Sequence, residues 1–414
     1  MAGGRGTRIA SLAPDIPKPM IRVGGKPVLQ GEIESLARQG IREIILTVGH
    51  MSRVIQNYFG DGSRFGVNLS YYEEEQPLGS AGALYRIRDQ LTEDFLLLNG
   101  DAVFSVNFSR LAAYHREKGG LATLLTHPND HPYDSGLIIT GPGGAVERWL
   151  AKEDDRPEYY QNRVNAGIHI LSPRLLDGEI PQGKVDLDRQ ILKPLAGTGK
   201  MFAYDSPEYV KDMGTPERYA QVCQDIISGR VEARNLLHPQ KAVFLDRDGT
   251  VNRYVGFLRR PEELELLPGA AQAVRRINQS GYLAILVTNQ PVIARGEVTY
   301  EGLRQIHNRL ETLLGQEGAF LDAIYFCPHH PDKGFPGEIP ELKVDCPCRK
   351  PKPGLLLDAA RDYGISLPHS IMVGDRQSDV LAGRAAGCRT ALLGEGDFGQ
   401  DETYTDLLDF SRHL

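Results

Sequence analysis

The sequence predicts an α/β protein of two domains, and three observations support that fold class. Short apolar runs alternate with amphipathic stretches in both halves, such as a strand pattern at 43–48 and a helical pattern at 108–118, which indicates βαβ units on a largely parallel sheet. The regular spacing of apolar residues is lost over residues 228–240, and a new apolar strand begins at Ala242. Several strands end in carboxylates or hydroxyls, where open α/β sheets bind ligands.

The length of the chain agrees with this division. A chain of 414 residues has room for two or three domains of about 150 residues. The loss of period predicts a first domain at 1–228, a linker at 229–240, a second domain at 241–394 and a C-terminal tail at 395–414. Because the tail is acidic and poor in apolar residues, we expect it to be a surface appendage.

Composition excludes several classes of function. The 47 Lys and Arg residues against 54 Asp and Glu give a formal net charge of -7, which argues against nucleic acid or an anionic membrane as a partner. No apolar run approaches the roughly 18 residues that span a bilayer, and the Gly/Arg-rich start differs from a signal peptide. We expect a cytoplasmic protein with small-molecule substrates; the composition leaves the oligomeric state open.

Two carboxylates stand at the end of the first strand of the second half. The run FLDRDGT places Asp246 and Asp248 two positions apart. This pattern suits phosphoryl transfer through an aspartyl phosphate, in which one carboxylate attacks phosphorus and the other acts as general acid and base. A Mg²⁺ ion would offset the charge of the carboxylates and the phosphate. A single pair of this kind is more often a solvated turn, so further motifs have to support it.

Three later motifs in the second half supply the rest of such a site. The first ends a strand in hydroxyl and amide donors for phosphate oxygens, the second provides fixed cations, and the third provides carboxylates that could complete a Mg²⁺ shell. Solvated loop acids would not be expected to combine with these groups in this order. The motifs are Thr288-Asn289-Gln290, Arg349-Lys350, and Asp375-Arg376 followed by Asp379.

Three of the five cysteines fall within 22 positions. Cys327 and His329, followed by Cys346 and Cys348, offer three thiolates and an imidazole, a set suited to tetrahedral structural Zn²⁺. His330 is a rival ligand, but the C-x-H spacing favours His329. The two pairs flank a Pro- and Gly-rich segment without a core of its own, so zinc would fix the loop that leads into the cationic motif. The other two cysteines, Cys223 and Cys388, are predicted to be core residues.

The four strand-end motifs resemble the haloacid dehalogenase-like phosphohydrolases over about residues 241–393. The resemblance implies a doubly wound sheet with Asp246 as nucleophile and Asp248 as general acid and base. It also implies phosphate stabilisation by Thr288 and Lys350, Mg²⁺ ligation by Asp246, Asp248 (through its backbone carbonyl) and Asp375, and a supporting role for Asp379.

The loop that carries Cys327, His329, Cys346 and Cys348 narrows the resemblance to two related families. These are the heptose 1,7-bisphosphate phosphatases and the histidinol-phosphate phosphatases. The run IARG at 293–296 is similar to the heptose enzymes, whereas Pro291-Val292 departs from the Ser-Gly expected there. The heptose resemblance implies substrate contacts from Asn252, Arg253, Tyr254, Asn289, Gln290, Arg349 and Arg376.

The first half opens on a glycine-rich run and continues to a Pro-Lys-Pro motif. Glycines let backbone N–H groups approach a triphosphate, and Arg8 and Lys18 would neutralise charge as pyrophosphate leaves. A second small-residue turn could hold a base and ribose, and two strand ends supply carboxylates for a Mg²⁺ that bridges the substrates. The turn contains Gln76 and Gly79, and the carboxylates are Asp101 and Asp212.

These motifs resemble the sugar-1-phosphate nucleotidyltransferases over about residues 1–227, which implies a Rossmann-like sheet of the GT-A type. The implied reaction is in-line attack of a sugar 1-phosphate on the α-phosphate of a nucleoside triphosphate. The resemblance implies that Gly3, Gly4, Gly6, Thr7, Arg8 and Lys18 bind the triphosphate, Gln76 and Gly79 the base, Lys152 and Asn165 the sugar phosphate, and Asp101 and Asp212 the metal.

One departure concerns the start of the first half. An apolar strand of about five residues should precede the glycine-rich run, but Met1 stands directly before it. We expect the functional chain to start further upstream, because the later motif residues are intact. The alternative is a damaged and inactive first domain.

The two resemblances together imply one reaction sequence. A heptose 1,7-bisphosphate phosphatase leaves heptose 1-phosphate, which a nucleotidyltransferase could activate. We expect a bifunctional enzyme that supplies a nucleotide-activated heptose for surface glycans such as lipopolysaccharide, with GMP as the favoured nucleotidyl group. Two alternatives stay open: a histidinol-phosphate-type phosphatase fused to another sugar-phosphate nucleotidyltransferase, and an active phosphatase with a non-catalytic sugar-nucleotide-binding first half.

Overall fold

The computed structural model describes Met1 and residues 16–414, and the described chain divides into two compact units. Two segments from the first half of the sequence belong to the second unit, so the units do not simply follow the chain. The predicted domain boundaries stay a prediction. The first unit comprises Met1–His127, Ile138–Leu150 and Asn165–Asn235, and the second Pro128–Leu137, Ala151–Val164 and Leu236–Leu414.

The first unit is built from short strands and helices, which alternate only in the first part of the chain. Its strands are Arg22–Val23 (β1), Lys26–Pro27 (β2), Glu43–Val48 (β3), Asn68–Glu73 (β4), Phe95–Leu98 (β5), Ala102–Ser105 (β6), Ala122–His127 (β7), Leu137–Thr140 (β8), Val146–Leu150 (β9), Val164–Leu171 (β10), Met201–Asp205 (β11) and Tyr209–Asp212 (β12). Its helices are Val28–Arg38 (α1), Ser52–Phe59 (α2), Gly82–Arg86 (α3), Phe108–Lys118 (α4), Pro216–Ile227 (α5) and Arg230–Ala233 (α6), with a π-helical turn at Leu187–Leu192.

The main sheet of the first unit is mixed, so the prediction of a largely parallel sheet is wrong here. Among the described residues its order is β11-β7-β10-β8-β9, with β5 also paired to β10. Strand β10 runs antiparallel to β5 and β8, whereas β7 and β11 are parallel. Residues 141–145 join β8 to its neighbour β9, and so short a connection rules out the crossover that parallel pairing needs. Apolar periodicity marks a strand but not the direction of its neighbour.

The second unit contains a parallel sheet with helices between its strands, as predicted for a doubly wound fold. Its strands pair in the order β15-β14-β13-β16-β17-β18, and every adjacent pair is parallel. The strands are Ala242–Leu245 (β13), Leu283–Asn289 (β14), Ala323–Cys327 (β15), Ile371–Gly374 (β16), Arg389–Leu393 (β17) and Glu402–Tyr404 (β18). The helices are Ala270–Gln279 (α7), Tyr300–Gln316 (α8), Gly354–Tyr363 (α9), Gln377–Ala386 (α10) and Leu407–Phe410 (α11).

Helix α8 shows how this unit takes in a segment from the first half of the sequence. Glu311 accepts a hydrogen bond from the Asn162 N–H at 3.1 Å and forms a buried ion pair with Arg163 at 3.3 Å. The Tyr160 N–H donates to Thr312 Oγ1 at 3.0 Å. These contacts satisfy polar groups that lie away from water, and they make the 151–164 segment part of the second unit.

The predicted linker and tail are both more ordered than the sequence indicated. Helix α6 lies inside the 229–240 stretch. In the tail, β18 extends the sheet by parallel pairing with β17, and α11 buries Leu407 and Phe410. The expectation of a surface appendage is therefore wrong for these residues, because two well-placed apolar side chains are enough to dock a short helix on a core.

Replacing Phe410 with Ala is expected to lower the free energy of unfolding by about 3–5 kcal/mol, the usual cost of removing a buried phenyl ring. Phe410 is 2% exposed and belongs to the main core of the second unit. Urea unfolding of the full chain measures the change, with the exposed Arg412→Ala as control. A loss no larger than that of the control would contradict the burial of α11.

Among the described helices, none combines the length and the apolar composition that a bilayer span requires.

Candidate active sites

The first candidate site lies at the carboxyl edge of the parallel sheet in the second unit. Asp246 directly follows β13, Thr288 and Asn289 end β14, and Asp375 directly follows β16. Because these neighbouring strands are parallel, their ends meet at one edge, where doubly wound sheets bind ligands. The motifs that are far apart in sequence are thereby brought to one place.

Lys350 joins two of the carboxylates at this edge. Its buried Nζ lies 2.6 Å from Asp246 Oδ1 and 2.6 Å from Asp379 Oδ1. Burial alone would lower the pKa of Lys350, but the two carboxylates raise it above its ordinary value. Burial raises the pKa of Asp246, and Lys350 opposes that shift. The charged lysine therefore helps to keep Asp246 ionised, as a nucleophilic carboxylate must be.

Asp248 is held by three side-chain donors. Arg247 Nη2 lies 3.0 and 2.9 Å from its two carboxylate oxygens, and Asn252 Nδ2 and Gln290 Nε2 donate at 3.0 and 2.9 Å. Burial favours the neutral acid, but Arg247 and the amide donors outweigh it, and the pKa of Asp248 is lowered. With no phosphate ester bound, the arrangement therefore favours the ionised form of the carboxylate, which can accept a proton.

Three carboxylates could hold a divalent cation. One oxygen atom each from Asp246, Asp375 and Asp379 lies within 4.8 Å of the others. Asp375 Oδ1 is buried and has no hydrogen-bond partner among the described residues. Burial, followed by the charge of Asp246, raises the pKa of Asp375, and a cation would reverse that shift. An all-oxygen donor set with an unsatisfied buried oxygen fits Mg²⁺.

Gly249 shows how closely this carboxylate set is packed. Its φ is +91°, and a Cβ added there would lie 2.3 Å from Asp375 Oδ2. The turn after Asp248 therefore requires glycine both for its left-handed backbone and for the space.

A cavity of about 300 Å³ opens above these groups. Of the residues predicted to bind substrate, Tyr254, Asn289, Gln290, Arg349 and Arg376 line it, and Arg376 stacks on the Tyr254 ring at 4.4 Å. The cavity is also lined by residues that were not predicted to bind substrate; most lie in loops, but Ser378 belongs to α10, next to Asp379. These residues are Gly256, Phe257, Leu258, Pro291, Val292, His330 and Ser378.

Three predicted substrate residues have partners within the protein. Asn252 is fully buried and donates to Asp248, whereas Arg253 is exposed and pairs with Glu265 at 3.3 Å. The side chain of Asn289 accepts from the Lys350 N–H and donates to the Lys350 carbonyl, both at 3.0 Å. The structure therefore gives Asn289 a role in placing Lys350, and its contact with substrate stays a prediction.

The four residues predicted as zinc ligands lie together. The thiol sulfurs of Cys327, Cys346 and Cys348 are 3.2–3.4 Å apart, and His329 Nδ1 is 3.6 Å from Cys327 and 3.4 Å from Cys348. Thiolates at the usual Zn–S distance of about 2.3 Å would be about 3.8 Å apart in a tetrahedron, so this cluster has nearly that size. The rival, His330, faces the cavity instead. The donor set fits Zn²⁺.

The second candidate site lies in the first unit, where antiparallel pairing of β6 and β12 sets Asp212 opposite Ala102 and so next to Asp101. Lys18 Nζ lies 2.5 Å from Asp101 Oδ2. Asp212 accepts from the Gly214 N–H at 2.6 Å and pairs with Arg218 at 2.9 Å. Burial opposes ionisation of Asp212, but Arg218 and that N–H lower its pKa. Lys18 and two ionisable carboxylates are thus brought together.

Other predicted residues of this half are placed separately. Gly79 has φ +83°, and a Cβ added there would lie 2.4 Å from the Val185 carbonyl, so glycine is needed for a close approach. Gln76 is exposed, and Asn165 accepts a hydrogen bond from the Gly167 N–H. Lys152 is exposed and lies in the 151–164 segment of the second unit. Gly3, Gly4, Gly6, Thr7 and Arg8 lie outside the described residues.

In both units a lysine lies against carboxylates that adjoin strands, Lys18 against Asp101 and Lys350 against Asp246. This arrangement is typical of proteins of the phosphoryl-transfer class. The chain belongs to the nucleotidyl transferase family, whose profile matches residues 1–229, and over its second half to the D-glycero-D-manno-heptose-1,7-bisphosphate 7-phosphatases. A HAD-hydrolase-like profile also matches residues 347–409. Both resemblances and the α/β fold class are thereby confirmed.

Individual relatives cover the two halves separately. The 7-phosphatase of Thermosynechococcus vestitus is 43% identical over 161 residues, 38% of this chain and 81% of that protein. Mannose-1-phosphate guanylyltransferase of Mycobacterium tuberculosis is 31% identical over 233 residues, 55% of this chain and 64% of that protein. The chain thus spans less than two thirds of this guanylyltransferase, and 61% of a guanylyltransferase from Oryza sativa.

A solved structure also resembles the second half. The D,D-heptose 1,7-bisphosphate phosphatase of B. bronchiseptica, complexed with magnesium and phosphate, is 35% identical, with a TM-score of 0.38; the match covers 42% of this chain and 98% of that one.

Proposed function

We propose that the protein is a bifunctional enzyme that removes the 7-phosphate of heptose 1,7-bisphosphate and transfers a nucleotidyl group, GMP, to the heptose 1-phosphate that remains. The observation that carries the proposal is the cluster of Asp246, Asp248 and Lys350 in a half that belongs to the 7-phosphatases, joined in one chain to a nucleotidyl transferase domain. We infer that both reactions take place in the cytoplasm, and that the product serves surface glycans such as lipopolysaccharide.

In the phosphatase reaction, a carboxylate oxygen of Asp246 attacks phosphorus and the ester P–O bond breaks. The leaving sugar oxygen takes a proton from Asp248, whose protonated form is favoured by the negative charge of a bound phosphate ester. Water then attacks the aspartyl phosphate, Asp248 accepts its proton, and phosphate leaves with Asp246 regenerated. Lys350 and Thr288 hold the phosphoryl oxygens.

The Mg²⁺ site of this half would be formed by Asp246, Asp375 and the backbone carbonyl of Asp248, with Asp379 alongside. Bound there, Mg²⁺ supplies positive charge against the carboxylates and the phosphoryl group. Lys350 supplies a further fixed positive charge beside Asp246, and Asn289 keeps the backbone of that lysine in place.

In the transferase reaction, an oxygen of the sugar 1-phosphate attacks the α-phosphorus of the triphosphate and pyrophosphate leaves. Positioning and charge neutralisation carry this reaction, since no protein nucleophile is needed. Lys18 would neutralise phosphate charge, and Asp101 and Asp212 would hold a Mg²⁺ that supplies positive charge to the phosphates of the substrates. We assign the base to Gln76 and Gly79 and the sugar phosphate to Lys152 and Asn165.

The Cys₃His cluster is proposed to hold a structural Zn²⁺ that shapes the loop before Lys350. Replacing Cys346 with Ser is expected to remove zinc from the protein and to lower phosphate release at least about tenfold, because Arg349 and Lys350 follow the cluster directly. Metal analysis and phosphate assays measure both effects, with Cys223→Ser as the control, a free cysteine of the first unit. Unchanged zinc content would reject the assignment.

A time course with heptose 1,7-bisphosphate and each nucleoside triphosphate tests the whole proposal, with phosphate and pyrophosphate followed separately. We expect phosphate first, and pyrophosphate afterwards with GTP. Phosphate release from histidinol phosphate but not from the heptose substrate would contradict the phosphatase assignment. Sugar-nucleotide binding without pyrophosphate from any triphosphate would identify the first half as a non-catalytic binding domain.

A further inference from the structure

Arg295 is held between two aromatic rings beside the phosphatase cavity. Its guanidinium carbon lies 4.2 Å from the ring centre of Phe257 and 4.3 Å from that of Phe335. The side chain is 16% exposed, and its nearest carboxylate oxygen, from Glu297, is 3.7 Å away. Arg295 Nε is buried with no hydrogen-bond partner among the described residues. The rings are therefore the main partners of this cation.

The two rings belong to different walls of the cavity. Phe257 lines the cavity directly, on the segment that follows Tyr254. Phe335 belongs to the segment 327–348 that carries the proposed zinc ligands, the zinc loop. It packs edge-on against His330, with ring centres 6.3 Å apart, and His330 also lines the cavity. The stack therefore connects two cavity-lining side chains through Arg295, which does not line the cavity itself.

The backbone next to Arg295 is fixed to the zinc loop. The Ala294 N–H donates to the Pro328 carbonyl at 3.2 Å, and the Ala294 carbonyl accepts from the Ile339 N–H at 2.9 Å. Arg295 therefore moves with the zinc loop. Phe257 lies in a stretch without helix or strand and is 37% exposed. The next residue, Leu258, is buried in the core, and Arg259 pairs with Glu297 at 2.7 Å. These two residues hold the backbone of the segment, whereas the stack with Arg295 holds the Phe257 ring itself.

We propose that Arg295 is a positioning residue that holds the Phe257 wall against the zinc loop and so sets the affinity for the organic part of the phosphate ester. The inference rests on the proposed phosphatase function. Phosphoryl transfer takes place at Asp246 and Lys350, neither of which touches the stack, so the chemical step does not depend on it. The affinity for a small ester that does not reach Phe257 is therefore expected not to depend on Arg295.

The test compares a large and a small substrate. Arg295→Met keeps much of the length of the side chain but removes the cation. We expect KM for heptose 1,7-bisphosphate to rise about tenfold, with kcat within about twofold and with kcat/KM for phenyl phosphate unchanged. Arg295→Lys keeps a cation over the rings and is expected to recover most of the affinity.

Three further variants separate positioning from general damage. Phe257→Ala removes the wall itself, so it is expected to raise KM similarly, and the double variant with Arg295→Met is expected to be no worse. Arg64 provides a matched control, because its guanidinium lies 5.0 and 4.6 Å from the Tyr58 and Phe65 rings in the first unit. Arg64→Met is expected to leave both KM values unchanged. Zinc content is measured for every variant.

An unchanged KM for the large ester in Arg295→Met would overturn the inference. So would a parallel loss on both esters accompanied by loss of zinc, since that marks a purely structural role. Wild-type protein that is inactive on heptose 1,7-bisphosphate but active on histidinol phosphate would overturn the proposed substrate instead. The same comparison, with histidinol phosphate as the large ester, then decides the role of Arg295.

Discussion

Replacing Asp246 with Asn is expected to abolish phosphate release from heptose 1,7-bisphosphate, a loss of at least about 10⁴-fold. The amide cannot form the aspartyl phosphate, although it keeps the shape of the side chain. It also leaves Lys350 with Asp379 as its remaining carboxylate partner, so the lysine stays paired. Release of phosphate is measured under saturating Mg²⁺ with purified full-length protein.

The same variant tests whether the two activities are separate. Pyrophosphate release from GTP and heptose 1-phosphate, supplied directly, is expected to stay at the wild-type rate. Asp358→Asn serves as control, because it changes a surface carboxylate paired with Arg361. Loss of both activities with unchanged thermal stability would contradict independent active sites.

Replacing Asp101 with Asn is expected to lower pyrophosphate release at least about a hundredfold while phosphate release continues. Asp101 lies 2.5 Å from Lys18 and next to Asp212 across the β6–β12 pair. Loss of its charge removes one of the two proposed metal ligands and the ion partner of the lysine. A coupled assay of pyrophosphate measures the change.

Asp89→Asn is the matched control for that experiment, because Asp89 is an exposed carboxylate of the same unit. It is expected to have the wild-type rate of pyrophosphate release. If Asp101→Asn also retains that rate, Asp101 is not a metal ligand, and the assignment of the site fails. If the wild-type protein releases no pyrophosphate, the first half is not a transferase.

Helices and central strands were predictable where local patterns are strong. The predicted helix at 108–118 is α4, which begins after Asn107, whose side chain accepts from the Arg110 N–H, and ends before Gly119 in a left-handed conformation. The four residues of β13 are fully buried. This burial agrees with the continuous apolar run that is typical of a strand at the centre of a parallel sheet. Caps and burial on both faces leave a local signature in the sequence.

Pairing partners were harder to predict, because they depend on segments far apart in the chain. The antiparallel pairing of β10 with both β5 and β8 has no local signature. The short tail helix α11 was missed because so few apolar residues carry it. In the same way, a segment at 151–164 belongs with α8 through buried contacts to Glu311, and nothing in its own composition indicates this.

Most residues of the proposed phosphatase site could be predicted from the sequence. The loop residues that line the cavity beside them could not. Asp246 and Asp375 directly follow strands, and parallel strands bring such motifs to one edge, whereas Lys350 reaches this edge from the loop before α9. No role was predicted for Arg247, yet this residue is fully buried and holds Asp248. His330 and Phe257 line the cavity from loops, and loop paths depend on contacts with the rest of the unit.

The sequence by itself therefore determined the two families, the α/β class, the carboxylates at the strand ends and the Cys₃His set, because each is written in consecutive residues or in fixed spacings. Only the tertiary structure decided which donors hold Asp248, how Asn289 places Lys350, where Arg295 is stacked and which segments complete each unit. These features arise from side chains that meet across long stretches of chain, and their geometry depends on packing that no local pattern records.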